Sequence, residues 1–233
     1  MSDQTKYEVP VSEAGDVAHA VTRSGLGAIP FAGTAAVELL NMVVTPSLEK
    51  RRNEWMNEVS EGLQNLEYKM EVVLEELREN DSFIDAVLEA SSLAIRNSET
   101  EKIEALRNAV LNVALPNPPE KSLQVMFFSF IDAFTVWHIK LLSLFQNPQD
   151  WLQKNDKNLG GLTMDSMSQL INTAYPELQT KSDFYMQVWK DLYLRGLVNT
   201  DELNTTMTLN GIVSKRTTSF GDQFLKFIHD PLE

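Results

Sequence analysis

The sequence predicts a mainly α-helical protein, a helical bundle with long amphipathic helices followed by a small C-terminal winged-helix-like module. Three observations carry this expectation. Apolar residues recur at helical spacing from Leu48 to Phe145, and cap residues and prolines punctuate that pattern at helix-sized intervals. Beyond residue 149 the pattern changes to two short helices, a threonine-rich stretch and a closing helix. The division expected is an N-terminal region over 1–46, a helical bundle over 47–148 and the winged-helix-like module over 149–233.

The N-terminal region contains a low-charge, Gly/Ala-rich segment, residues 24–45, in which Glu38 is the only ionisable side chain. Gly25, Gly27, Pro30, Gly33 and Glu38 interrupt its apolar run, so it is not a regular transmembrane span of about 20 apolar residues. Small residues of this kind allow close helix packing, or a change of conformation at a membrane surface. The start, Met1-Ser2-Asp3-Gln4-Thr5-Lys6, lacks the basic and apolar regions of a secretory signal, so none is expected.

From Pro46 a long amphipathic helix is expected, with Leu48, Trp55, Val59, Leu63, Leu66, Met70, Val73 and Leu77 forming a heptad-like stripe. Its other faces are crowded with Glu, Lys and Arg, which keep a long helix solvated, and it must pack along another helix. A protein partner or a second copy along residues 47–79 is therefore expected. The Asn80-Asp81-Ser82 cluster reads as a break and cap before a helix bearing Phe83, Ile84, Val87, Leu88 and Leu93. Ser98 and Glu101 have the spacing of a capping box for the next helix, carried by Ile103, Leu106, Val110 and Val113 and stopped at Pro116. Proline removes an amide donor and clashes with the preceding turn, so Pro116-Asn117-Pro118-Pro119 reads as a loop. One further long, strongly apolar helix is expected over 120–146, ended by Pro148.

In the third region Thr163 can cap a helix bearing Met164, Met167, Leu170 and Ile171, which Tyr175-Pro176 breaks. Ser182 can cap a second, bearing Phe184, Val188, Trp189 and Leu192 and stopping at Arg195-Gly196. Residues 205–218, with Asn210-Gly211 as a turn signal, suit a hairpin, and Ser219 to Ile228 closes with a short helix.

Composition narrows the chemistry. The 233 residues carry a net charge of −13, 43% are hydrophobic and 23% charged, and there is no cysteine. Disulfides, thiolate metal sites and cysteine nucleophiles are thereby excluded, and a reducing cytoplasm fits. The acidity lies in residues 1–150, with 12 Lys and Arg against 23 Asp and Glu, while residues 151–233 are nearly balanced at 8 against 10. Phosphate binding to nucleic acid needs concentrated positive charge. The only adjacent basic pair in the third region is Lys215-Arg216, the candidate contact if the module met nucleic acid at all. The histidines, His19, His138 and His229, lie far apart and none has helical metal-pair spacing. His138, beside Trp137 on the most apolar helix, reads as a hydrogen-bonded core histidine. No Lys-Ser/Thr follows the glycines, and the carboxylates lie along solvated helix faces. No catalytic constellation, metal site or cofactor is expected, and the chain reads as a non-enzyme.

The order of these segments resembles the bacterial proteins grouped as abortive infection alpha. The resemblance is carried by the small-residue and proline segment leading into Leu48-Glu49-Lys50-Arg51-Arg52-Asn53-Glu54-Trp55, then by Phe83-Ile84-Asp85-Ala86-Val87-Leu88-Glu89-Ala90-Ser91 and the helix Lys102 to Val110. It continues through Phe128-Ser129-Phe130-Ile131-Asp132-Ala133-Phe134 and Thr218-Ser219-Phe220-Gly221-Asp222-Gln223-Phe224-Leu225. It implies a role in bacterial or prophage defence, acting on the host membrane from the cytoplasmic side through residues 24–45 or gating a partner that does. It brings no catalytic residues. The alternative left open is a helical scaffold or regulator whose winged-helix-like module binds protein or, with less support from the charges, DNA.

Overall fold

The computed structural model describes residues 33–70, 72–160 and 164–232, with side-chain placement from residue 46 onward. Met1–Lys50 and Arg51–Glu233 form separate compact units, and the described part of the first is helical backbone from Gly33. The protein is mainly α. Helix α1 (Gly33–Met70) starts ahead of the expected Pro46 and carries that proline in its interior. It is followed by α2 (Leu74–Leu77), α3 (Asp81–Arg96), α4 (Thr100–Val113), α5 (Lys121–Ala133), α6 (Val136–Gln146) and α7 (Pro148–Lys154). Then come strand β1 (Met164–Asp165), α8 (Met167–Ala174), a 3₁₀ turn (Pro176–Leu178), α9 (Ser182–Leu194), β2 (Met207–Thr208), α10 (Leu209–Ile212) and α11 (Ser219–Ile228).

The heptad-like stripe does not run unbroken to Leu77. Trp55, Val59 and Leu66 are buried, but Leu48, Met70 and Val73 are exposed, and α1 stops at Met70. The physical reason is local. Val73 is extended, at φ −87° and ψ 104°, as β-branched residues favour, and the turn returns Val72 and Leu77 to a small cluster with Leu66, Leu111 and Ala114. Two side-chain bonds hold α1 to α3, from the Trp55 Nε1–H to Ser91 Oγ at 2.8 Å and from Arg51 to the Ile95 carbonyl at 3.3 Å.

The cap before α3 forms as expected, with the Asn80 side chain accepting from the Phe83 amide. The capping box before α4 does not, since Glu99 takes the N-cap position without a side-chain bond, and Glu101 pairs with Lys140 at 2.8 Å. The expected single helix over 120–146 is two helices bent by 117°. Thr135 starts the second one, its hydroxyl accepting from the His138 amide while His138 Nδ1 accepts from the Thr135 amide at 3.1 Å, a reciprocal capping box. Phe134 stays extended at the corner, where its ring stacks on Phe130 and His138.

The third region departs from expectation in its strands. Thr163 lies outside the described residues. Met164 belongs to β1, paired antiparallel with β2, and the helix starts at Met167 behind Ser166. The α9 helix begins at Ser182 with Lys181 as its cap residue, and it ends where Gly196 takes φ +72°. No hairpin turns at Asn210-Gly211. Those residues lie in α10, whose first turn is capped by the Thr208 hydroxyl accepting from the Gly211 amide. Besides the β1–β2 pair, an isolated antiparallel bridge joins Val198 to Thr217.

One hydrophobic core runs from Trp55 to Ile228 without interruption at residue 148. Phe127 on α5 meets Phe220, Phe224 and Phe227 on α11 at centroid distances of 5.3–5.5 Å. Buried asparagines on α4 close the end of α11. Asn108 donates to the Ile228 carbonyl, and Asn112 donates to those of Phe227 and His229, all three being carbonyls that a helix end leaves without partners.

Candidate functional site

The chemistry-bearing side chains of the body are mostly committed to one another. His138 is 7% exposed and stacks on Phe134 with the ring planes 2° apart. Because its Nδ1 accepts from Thr135, the network assigns the proton to Nε2, which faces Asp191 at 3.3 Å. Arg195 grips both oxygens of Asp191 at 3.2 Å and lies over the Phe130 and Phe134 rings. This His–Asp–Arg chain ties the corner between α5 and α6 to α9. Burial lowers the His138 pKa below its ordinary 6.5; Asp191 pulls the other way and Arg195 reinforces the drop. The unfolded chain then binds the extra proton first, so stability falls as pH drops below the ordinary value and stops falling once the folded pKa is passed. Glutamine at this capping-box position keeps an acceptor for Thr135 and cannot titrate. His138→Gln is therefore expected to lose less thermal stability than the parent when both are melted at about pH 7.5 and about pH 5.5. Equal losses would remove His138 as the cause.

Internal pairs also occupy a polar hollow. This hollow of about 830 Å³, between α4, the α6–α7 junction and α11, is lined by Glu101, Arg107, Asn108, Asp150 and Lys154 among others. Glu101 pairs with Lys140, which holds its carboxyl below the usual range, Arg107 pairs with Asp230, and Asp150 pairs with Lys154. Among the described residues no group of acidic and histidine side chains could hold a metal ion.

The sequence-derived site residues are scattered. Gly25, Gly27 and Pro30 lie outside the described residues; Gly33 begins α1, and Glu38 lies along its backbone. Lys215 pairs with Asp222, whose carboxyl burial raises but whose bonds to Lys215 and Thr217 hold below the usual range. Arg216 turns its guanidinium onto the Gly211 carbonyl at 2.7 Å and the Met207 sulfur at 3.3 Å. Both cations thus brace α10 and α11. Among the described residues, no single helix is long and apolar enough to cross a membrane; the bent pair α5–α6 reaches that composition, and it supplies much of the core.

Several large apolar side chains are exposed among the described residues, and those of α3 and α5 stand beside grooves. Leu88 on α3 and Val125 on α5 are each 64% exposed, with Ile84 at 38% and Met126 at 44%. A groove of about 310 Å³ lies on one side of Leu88, lined by Leu63, Leu74, Leu77, Phe83 and Val87. On the other side, between α3 and α5, a groove of about 510 Å³ is lined by Ala86, Gln124, Val125 and Phe128 with Asp85 and Lys121 at its edge. Single exposed apolar side chains are ordinary, whereas a contiguous row bordered by grooves marks a contact surface. The sequence marks Ile84 and Leu88 only as apolar residues of their helix.

No family model, no curated protein and no solved structure matches this chain.

Proposed function

We propose that this chain is a non-enzymatic protein of a bacterial or prophage defence system, of the abortive-infection kind, that works in the cytoplasm by holding a protein partner on its helical body. The observation that carries the reading is the Ile84–Leu88–Val125–Met126 ridge with a groove on each side. The segment order that resembles abortive infection alpha supplies the defence context. A winged-helix-like reading of the C-terminal part would take α8 and α9 as its helices, with the Val198–Thr217 bridge as support for a wing; Lys215 and Arg216, bonded internally, favour packing or protein contact over DNA. The membrane reading rests on residues 24–45, whose low charge would let them lie against lipid with Glu38 protonated or paired.

Phage challenge of bacteria expressing the chain separates these readings. The parent is expected to protect, and the double variant Leu88→Asp/Val125→Asp is expected to lose protection while the purified protein keeps its helical content. Unchanged protection by the double variant would overturn partner docking at this ridge. If a chain lacking residues 1–46 alone lost both protection and leakage from liposomes, the membrane reading would replace it.

A further inference from the structure

Resting on the docking reading above, we infer that the ridge takes an amphipathic helix whose apolar stripe is flanked by lysine or arginine. Ile84 and Leu88 are one turn apart on α3, and Val125 on the neighbouring α5 lines the same groove as Leu88. A groove on each side can accept the i, i+3, i+4 and i+7 side chains of an incoming helix. The groove next to Leu74 and Leu77 has an almost wholly apolar lining, which selects aliphatic or aromatic anchors.

Charge decides the flanks. Asp81, Asp85 and Glu89 recur at every fourth residue along α3, beside Ile84 and Leu88, and all three are exposed. Lys121 answers Asp85 across the groove. Asp81 and Glu89 extend the acidic edge on both sides of that pair, while Arg78 stands at the far end of the other groove. The whole chain is at −13, so a basic helix is also steered toward it. The same row argues against a second copy. An antiparallel two-fold contact of α3 with itself would set each acidic edge against its own image, and facing like charges oppose association.

The probe is a labelled synthetic helical peptide with leucine at i, i+3, i+4 and i+7 and lysine at the flanking positions. Its twin carries glutamate for every lysine, and both are titrated with the full chain by fluorescence anisotropy. The lysine peptide is expected to bind at least about tenfold tighter than its twin, with the margin shrinking as salt rises. Leu88→Asp, and independently Val125→Asp in case either variant misfolds, should each weaken it by about tenfold or more. Asp81→Lys/Glu89→Lys should reverse the preference between the peptides, whereas Glu58→Lys/Glu61→Lys on α1 should change affinity by no more than about twofold. Equal binding of the two peptides, indifference to both ridge variants, or an equal loss from the α1 pair would overturn the inference. So would a dimer seen in sedimentation that Leu88→Asp abolishes, because the occupant would then be a second copy. These outcomes are independent of the phage experiment. Peptide failure alongside lost protection by Leu88→Asp/Val125→Asp leaves docking standing with a different partner chemistry, and peptide binding alongside unaltered protection leaves the surface standing without the defence role.

Discussion

Phe127→Ala is expected to remove about 3–5 kcal/mol of folding stability, a fifth or more of what a typical domain possesses. The Phe127 ring is fully buried, and four phenylalanine rings, those of Phe130, Phe220, Phe224 and Phe227, lie within 6.3 Å of its centroid. Three of those rings belong to α11, and Phe227 also meets Phe128 edge to face, so their bulk cannot all move into the vacated space without shifting the helix. A cavity that collapses poorly is the costly kind. The loss should appear as one transition and not two, because the cluster joins the helices before residue 148 to the last helix of the chain. Melts followed by far-UV circular dichroism and by the fluorescence of Trp55, Trp137, Trp151 and Trp189, which sit on α1, α6, α7 and α9, should coincide for the parent and move together in the variant. Separate transitions, or a shift below about 1 kcal/mol, would show that the cluster does not weld the two ends of the chain.

The same cluster explains how much of the fold was legible. Apolar periodicity located the helices α3, α4, α9 and α11, and the signals at Asn80 and Gly196 marked a real start and a real stop, because caps and positive φ act through neighbours in sequence. The corner at Phe134-Thr135 was hidden. Neither residue is a helix breaker, and the stop exists because His138 completes a box with Thr135 while Phe134 fits between Phe130 and His138. Asn210-Gly211 carried a genuine turn signal, but β2 found its partner in β1, far away in sequence, and α10 took up the turn residues. Asn108 and Asn112 look like surface residues of an amphipathic helix and are instead buried caps for another helix. The ridge was invisible for a related reason. Periodicity reports that one face of α3 is apolar, and it cannot say whether a neighbouring helix of this chain or another molecule covers Ile84 and Leu88.

Gly221→Ala carries the second large expected effect, and no side chain can relieve it. A Cβ on Gly221 would stand 2.2 Å from the Leu197 carbonyl oxygen and 3.1 Å from its carbon, so the obstacle is backbone. That backbone is pinned. The Leu197 carbonyl accepts from the Thr218 amide at 3.0 Å, its own amide donates to Leu192 at the end of α9, and its side chain is fully buried. Thr218 in turn caps α11, its hydroxyl accepting from the Gly221 amide at 3.0 Å. To admit one methyl group, α11 must lift away from residue 197, loosening the cap, the phenylalanine cluster and the carbonyls held by Asn108 and Asn112 together. Overpacking of this kind costs on the order of 3 kcal/mol, which in a domain of this size lowers Tm by about 6–12 °C. Thermal melts of Gly221→Ala beside the parent measure it directly. A Tm within about 2 °C of the parent would mean that α11 stands off residue 197 in solution, so that glycine is not required for the close approach.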